Sequence, residues 1–143
     1  MRVRVYIEDT DAGGVVFYAN YLRYLERART EALRAAGVDL VEWQARHRRL
    51  FVVRRVRVDY LVPARLDDEL TVHAQIRTLS RASLTLEQPI ERAGARVVDA
   101  EVTLACIDAD SLRPVRIPAP LAAALAPDGA SPDGASPSPG APS

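Results

Sequence analysis

Tyr18-Ala19-Asn20-Tyr21-Leu22-Arg23-Tyr24-Leu25-Glu26-Arg27-Ala28-Arg29-Thr30-Glu31-Ala32-Leu33-Arg34-Ala35-Ala36 is the stretch on which the fold turns. Tyr18, Tyr21, Leu22, Leu25, Ala28, Ala32, Leu33 and Ala36 recur at three- and four-residue steps, the period of one long amphipathic helix. Arg23, Glu26, Arg27, Glu31 and Arg34 fall outside most of that stripe. Arg27 and Glu31 stand one turn apart, and Gly37 supplies a C-terminal cap. Ala28, Ala32 and Ala36 are small enough to let a flat partner approach, and a sheet is that partner.

Outward from the helix the period changes to two. Arg2 to Glu8 alternates, with Val3, Val5 and Ile7 on one face, as a first strand. After a shorter helix at Asp39 to Arg46, four more strands are predicted. Phe51–Leu61 sets Val56, Val58 and Tyr60 against Arg55, Arg57 and Asp59, and Leu70–Ser80 sets Leu70, Val72, Ala74 and Ile76 against Thr71, His73, Gln75 and Arg77. Ser83–Glu91 turns Leu84, Leu86 and Ile90 inward, with Pro89 marking an edge or bulge because it has no N–H for a ladder. Val97–Ile107 puts Val98, Ala100, Val102, Leu104 and Cys106 on one face. Turns at 63–68, 80–82 and 92–94 separate these strands, and Pro118 to Ala126 reads as a terminal helical stub. The order β-α-(α)-β-β-β-β gives an α+β domain with an antiparallel sheet of about five strands wrapped around one helix. Sheet edges of this kind favour self-association.

Composition narrows the class. The 143 residues are 48% hydrophobic and carry 19 basic and 19 acidic side chains, for a formal net charge of +0. That balance is globular and lacks the basic excess of a nucleic-acid binder. No apolar run approaches the ~18 residues of a membrane span, and Met1-Arg2-Val3-Arg4-Val5 is expected to enter a strand at once, without the apolar stretch of a secretory signal. All the basic residues are arginine, which removes lysine Schiff-base and P-loop chemistry. Cys106 is the one cysteine, in keeping with a reducing cytoplasm. The final stretch, 127–143, holds half of the 10 prolines and three of the 7 glycines, with no large apolar residue. It is expected to be a disordered tail behind a folded domain of residues 1–126.

Chemistry concentrates where the first strand meets the helix, at Asp9-Thr10-Asp11-Ala12-Gly13-Gly14-Val15-Val16-Phe17-Tyr18-Ala19-Asn20-Tyr21. Gly13 and Gly14 allow positive φ and close backbone approach. The N–H groups at a helix start are unpaired and lie at the positive end of its dipole. A carboxylate beside them can act as base or nucleophile, while the N–H groups stabilise a developing oxyanion. Piece by piece the same residues also make an ordinary N-cap and a glycine turn. Other chemistries find no footing. His47 and His73 lack metal-ligand spacing, no Gly-x-Ser-x-Gly elbow occurs, and Gly13-Gly14 is no dinucleotide fingerprint. Cys106 lies on an apolar strand face as a core residue, and neither a metal nor a cofactor is expected.

The order of residues in this corner resembles the hotdog-fold acyl-CoA thioesterases of the 4-hydroxybenzoyl-CoA thioesterase type, particularly the Tol–Pal-associated branch. Their motif reads Asp-x-Asp-x-x-Gly-(Val/Ile)-Val-aromatic-(His/Tyr)-x-(Asn/Ser)-Tyr, and here it runs from Asp9 to Tyr21. The likeness continues through Glu26–Glu31, Phe51–Arg54, Tyr60–Asp68 and Ala100–Val102, covering nearly all of residues 2–126 and none of the tail. The resemblance implies a hotdog fold and hydrolysis of an acyl-CoA to a carboxylic acid and free CoA. It implies that Asp11 is the catalytic carboxylate and that the Tyr18 N–H polarises the thioester carbonyl. Gly14 then permits the tight turn, and Asp9 orients or caps. Position 18 usually holds histidine in the Tol–Pal branch and tyrosine in the 4-hydroxybenzoyl branch; the backbone donor is common to both.

For the CoA phosphates, the resemblance points to Arg81 with Ser83 after the hairpin turn and to Arg113 with Arg116 before the terminal helix. The acid-free run Arg46, Arg48, Arg49, Arg54, Arg55 and Arg57 is a further basic stretch, equally readable as solvated strand faces. Hotdog sites are usually shared between protomers, so a homo-oligomer is expected, a dimer at least and a tetramer by likeness. Asp11 has two routes open to it, activation of water or direct attack to form a mixed anhydride. Two other functions share the fold: a hotdog dehydratase or hydratase, which needs a site histidine absent before His47, and a non-catalytic acyl-CoA binding or scaffolding protein.

Overall fold

The computed structural model describes residues 1–126, and the expected tail at 127–143 lies outside them. Seven strands and three helices follow one another: β1 (Arg2–Arg4), α1 (Asn20–Ala35), α2 (Leu40–His47), β2 (Arg49–Tyr60), β3 (Glu69–Val72), β4 (Gln75–Leu79), β5 (Ser83–Glu87), β6 (Ile90–Arg92), β7 (Ala95–Asp108) and α3 (Ala119–Leu125). Every strand pair is antiparallel.

Two of the five expected strands are each broken in two, and the breaks lie side by side. β3 pairs with β6 and β4 with β5, so the sheet reads β1, then β3/β4, then β5/β6, then β7, then β2. Pro89 supplies no N–H at the break, as its chemistry predicts. Local bonds bridge the gap: His73 N–H donates to Pro89 O at 3.0 Å and Gln88 N–H to Ala100 O at 2.8 Å. The five-ribbon sheet curls over α1 in the hotdog arrangement.

The core has two halves. Tyr21, Tyr24, Leu25 and Ala28 of α1 pack with Val5, Leu70, Val72, Ile90, Val97, Val98 and Ala100. Leu33 and Val38 pack with Leu84, Leu86, Val102, Leu104, Cys106, Ile117, Leu121 and Leu125. Between them, at the sheet break, lies a buried polar seam. The Gln88 side chain, fully buried, donates from Nε2 to Leu25 O (2.9 Å) and His73 O (3.3 Å), and its Oε1 accepts from Arg29 Nη1 (3.2 Å). Burial lowers the Arg29 guanidinium's pKa, with the nearby Glu26 opposing.

Four placements differ from the sequence reading. The buried face of α1 is Tyr21, Tyr24, Leu25, Ala28, Arg29 and Leu33, rotated from the expected stripe, so Leu22 and Ala36 face out. The helix starts at Asn20, which leaves Tyr18 before it. β1 ends at Arg4, and Ile7 opens a single 3₁₀ turn over Ile7–Asp9, where it is 77% exposed. β2 is an edge strand that pairs only with β7, bulged between Val53 and Arg55, and its Val52, Val53, Val56 and Tyr60 are exposed.

Candidate active site

The corner between β1 and α1 is closed by its own backbone. Asp11 N–H donates to Val15 O (2.9 Å) and Gly14 N–H to Asp11 O (3.0 Å), while Phe17 N–H reaches back to Asp9 O (2.9 Å). Gly14 sits at φ +78°, a left-handed conformation that a side chain disfavours. Asp11 is exposed, and its Oδ1 accepts from Gly13 N–H at 2.8 Å. A Cβ on Gly13 would stand 3.3 Å from that same oxygen, so this glycine keeps the carboxylate's flank open.

The segment 61–68 supports the corner from behind. Val16 N–H donates to Ala64 O (2.7 Å), Ala64 N–H to Tyr21 Oη (3.2 Å), and Val15 pairs with Arg65. Asp68 in turn accepts from Arg65 N–H (2.8 Å) and Arg92 Nη1 (2.7 Å). Partial burial pushes its carboxyl upward, but those donors and their charges outweigh burial and hold it below the usual carboxylate range. An acid three residues after Arg65, closing on its N–H, is the local sequence signal for this turn.

Asp9 fastens the start of α1. Its Oδ2 accepts from Tyr6 N–H and its Oδ1 from Asn20 Nδ2, each at 2.9 Å. Burial raises its carboxyl, yet Tyr6, Tyr24, Asn20 and Arg27 together bring it below the ordinary value. The buried Tyr24 hydroxyl beside it is pushed upward, by burial first and then by the Asp9 charge.

At the helix tip the first-turn amides are used: Asn20 N–H donates to Phe17 O (2.8 Å), Tyr21 N–H to Tyr18 O (3.3 Å) and Leu22 N–H to Ala19 O (3.2 Å). Among the described residues, the amides of Tyr18 and Ala19 donate to nothing. The Tyr18 ring, 64% exposed, lies 4.8 Å from Phe17 and 6.5 Å, edge-on, from Tyr60. Tyr60 Oη donates to Tyr18 O at 3.3 Å, a contact across 42 residues that no local sequence pattern announces. Two free N–H groups, an exposed carboxylate and an exposed aromatic ring thus all belong to the one segment 11–19.

Arg81, Ser83 and Arg113 are brought together with one another, not with Asp11, Gly14 and Tyr18. Ile117 N–H donates to Arg81 O and Asp108 N–H to Arg113 O, both at 2.9 Å, and Ser83 pairs with Ala105. Tyr60 pairs with Val98 on the same β7. Seven residues of strand therefore separate the β7 partner of Ser83 from that of Tyr60, whose hydroxyl meets Tyr18, about 23 Å at ~3.3 Å per residue. Of the remaining basic stretch, Arg46, Arg48, Arg49 and Arg57 pair with Glu42, Asp110, Asp108 and Asp59. Among the described residues no group of three or more His, Cys, Asp or Glu could hold a metal ion, and no helix is long and apolar enough to cross a membrane. Cys106 is buried, which raises its thiol pKa, with Arg49 opposing.

Comparison with known proteins gives a consistent picture. Residues 5–125 match a sequence model described as the thioesterase-like superfamily. The chain is 41% identical over 122 residues to "Acyl-CoA thioesterase YbgC" of Haemophilus influenzae, covering 85% of this chain and 90% of that one. It is 44% identical over 117 residues to "Acyl-CoA thioester hydrolase YbgC" of Escherichia coli O6:H1, covering 81% and 87%. A crystal structure of a probable thioesterase from Bartonella henselae superposes with a TM-score of 0.77 at 35% identity, covering 82% of this chain and 97% of that one.

Proposed function

The chain belongs to the thioesterase-like superfamily, and from that premise we propose that it hydrolyses acyl-CoA thioesters, releasing a carboxylic acid and free CoA. The observation that carries this reading is the unengaged Tyr18 N–H before α1, in the same closed corner as Asp11. A thioester carbonyl laid over that tip has its oxygen met by an N–H at the positive end of the helix dipole. The tetrahedral oxyanion gains more from that donor than the ground-state carbonyl does. Asp11 takes a proton from water as the water oxygen attacks, or attacks the carbonyl carbon itself to give a mixed anhydride that water then opens. In the first route the carbon–sulfur bond breaks as the tetrahedral intermediate collapses, and the thiolate takes back the proton held by Asp11. In the second the thiolate leaves as the anhydride forms, and the water that opens the anhydride supplies its proton.

In this reading Gly14 lets the loop turn so that Asp11 can serve a substrate at the tip, and Arg81, Ser83 and Arg113 receive the CoA phosphates. Their separation from Asp11 supports a site shared between two copies. Two β2 edges joined antiparallel set the Tyr60 end of one protomer beside the Arg49 end of the other, the end at which Arg81 and Arg113 lie. The exposed apolar side chains of β2 and its unpaired edge favour such a homodimer, with a tetramer as the next step. The cytoplasm fits the single, buried Cys106. The test is release of free thiol from benzoyl-, butanoyl- and palmitoyl-CoA, followed with a thiol-reactive dye. Turnover of at least one above the spontaneous rate is expected, and no turnover of any would overturn the reading.

A further inference from the structure

We propose that Tyr60 is a positioning residue that holds the Tyr18 segment in place for the reaction, an inference that rests on the thioesterase reading above. Tyr60 is the last residue of β2, in register with Val98 at the end of an unusually long pairing with β7. Its hydroxyl donates to the carbonyl oxygen of Tyr18 at 3.3 Å. That carbonyl is otherwise bonded only within the helix start, by Tyr21 N–H at 3.3 Å. Tyr18 and Ala19, the two residues with free amides, thus have one side-chain tie to the sheet in the described structure, and Tyr60 supplies it.

The ring contacts point the same way. The Tyr60 ring centroid lies 5.5 Å from Tyr21 and 6.5 Å from Tyr18. Tyr21 is itself anchored, buried in the core, with its hydroxyl accepting from Ala64 N–H. Tyr60 is therefore braced on one side and 49% exposed on the other. Nothing in core packing requires its hydroxyl. A phenylalanine would serve the ring contacts equally, so the donor oxygen is the feature left to explain. Fixing the Tyr18 carbonyl restrains the backbone on either side of it, and an oxyanion donor works only while held in place before charge develops.

The experiment compares wild type, Tyr60→Phe, Tyr60→Leu and Asp11→Asn on whichever of benzoyl-, butanoyl- or palmitoyl-CoA the wild type turns over fastest. Tyr60→Phe removes one neutral hydrogen bond and is expected to lower kcat about three- to tenfold. KM and the thermal midpoint should stay at wild-type values. Tyr60→Leu also removes the ring contacts and should lose at least as much kcat. A wild-type kcat in Tyr60→Phe overturns the proposal. So does a kcat loss accompanied by a lower thermal midpoint, which marks Tyr60 as structural only. Wild-type turnover by Asp11→Asn would instead refute the site on which the proposal rests.

Discussion

Replacing Gln88 by leucine keeps its volume nearly constant and removes every polar atom from the seam between the two halves of the core. In the native chain this amide accepts from Arg29 and donates to Leu25 O and His73 O, all in a site closed to solvent. Leu25 O is in mid-helix and retains its ladder partner, so its loss is small. Arg29, 8% exposed and without a carboxylate partner among the described ion pairs, loses its one hydrogen bond. A hydrogen bond to a charged group is worth about 1.5–3 kcal/mol, and stranding the charge adds to that. We expect Gln88→Leu to destabilise the fold by about 2–3 kcal/mol, a fall of roughly 6–12 °C in Tm for a domain of this size. Arg29→Met alone should cost about 1–2 kcal/mol, since it leaves only a neutral acceptor unpaired. The double variant should be more stable than the sum of the two losses by about 1–2 kcal/mol, because the residue each single change strands is gone. Urea and thermal unfolding followed by circular dichroism, at one fixed protein concentration, measure all four corners of the cycle. A Gln88→Leu protein within about 1 kcal/mol of wild type, or strictly additive changes, would show that the seam is not what joins α1 to the broken strands.

Further outcomes follow from the same geometry. Gly14→Ala forces a Cβ into φ +78° and should cost about 1–2 kcal/mol of stability while lowering turnover; a variant with native Tm and activity would show that the loop relaxes freely. Asp68 is held ionised in the folded state, so its contribution is complete above the unfolded carboxylate value near ~3.9 and is lost as pH falls through the lower folded value. Asp68→Asn should therefore be less stable than wild type at neutral pH and approach it as pH falls below the ordinary carboxylate range; a gap that stays constant into acid would contradict this.

Much of the architecture is legible in the chain, for reasons that can be named. Leu70, Val72, Leu84 and Leu86 alternate with less buried neighbours because one face of their strands is the core, whereas β7 is buried on both faces over 102–107, and α1 declares itself by its period. Asp39 and Pro118 mark the starts of α2 and α3, and the structure makes them those helices' N-caps. The rotation of α1 was not legible, because Tyr24 and Arg29 carry polar atoms and propensity assigns them to solvent. Arg29 is buried against Gln88, 59 residues away, and the Tyr24 hydroxyl lies beside Asp9. Ile7 continues an apolar alternation, but Asp9 closes on Tyr6 N–H and turns the chain before Ile7 can pair. β2 reads like any half-buried strand, and only the pairing order makes it an edge. At the candidate site, Asp11, Gly14 and Tyr18 are recoverable as neighbours in sequence. Tyr60, Ala64 and Asp68 reach the corner through tertiary contacts, which carry no periodic signal.

The most direct test of the account is the steady-state rate of thiol release by Asp11→Asn, which nearly preserves shape and removes the negative charge. With folding verified by circular dichroism, kcat is expected to fall by at least about a hundredfold, the worth of a positioned base or nucleophile. An Asp11→Asn enzyme that cleaves acyl-CoA as fast as the wild type would contradict the central claim.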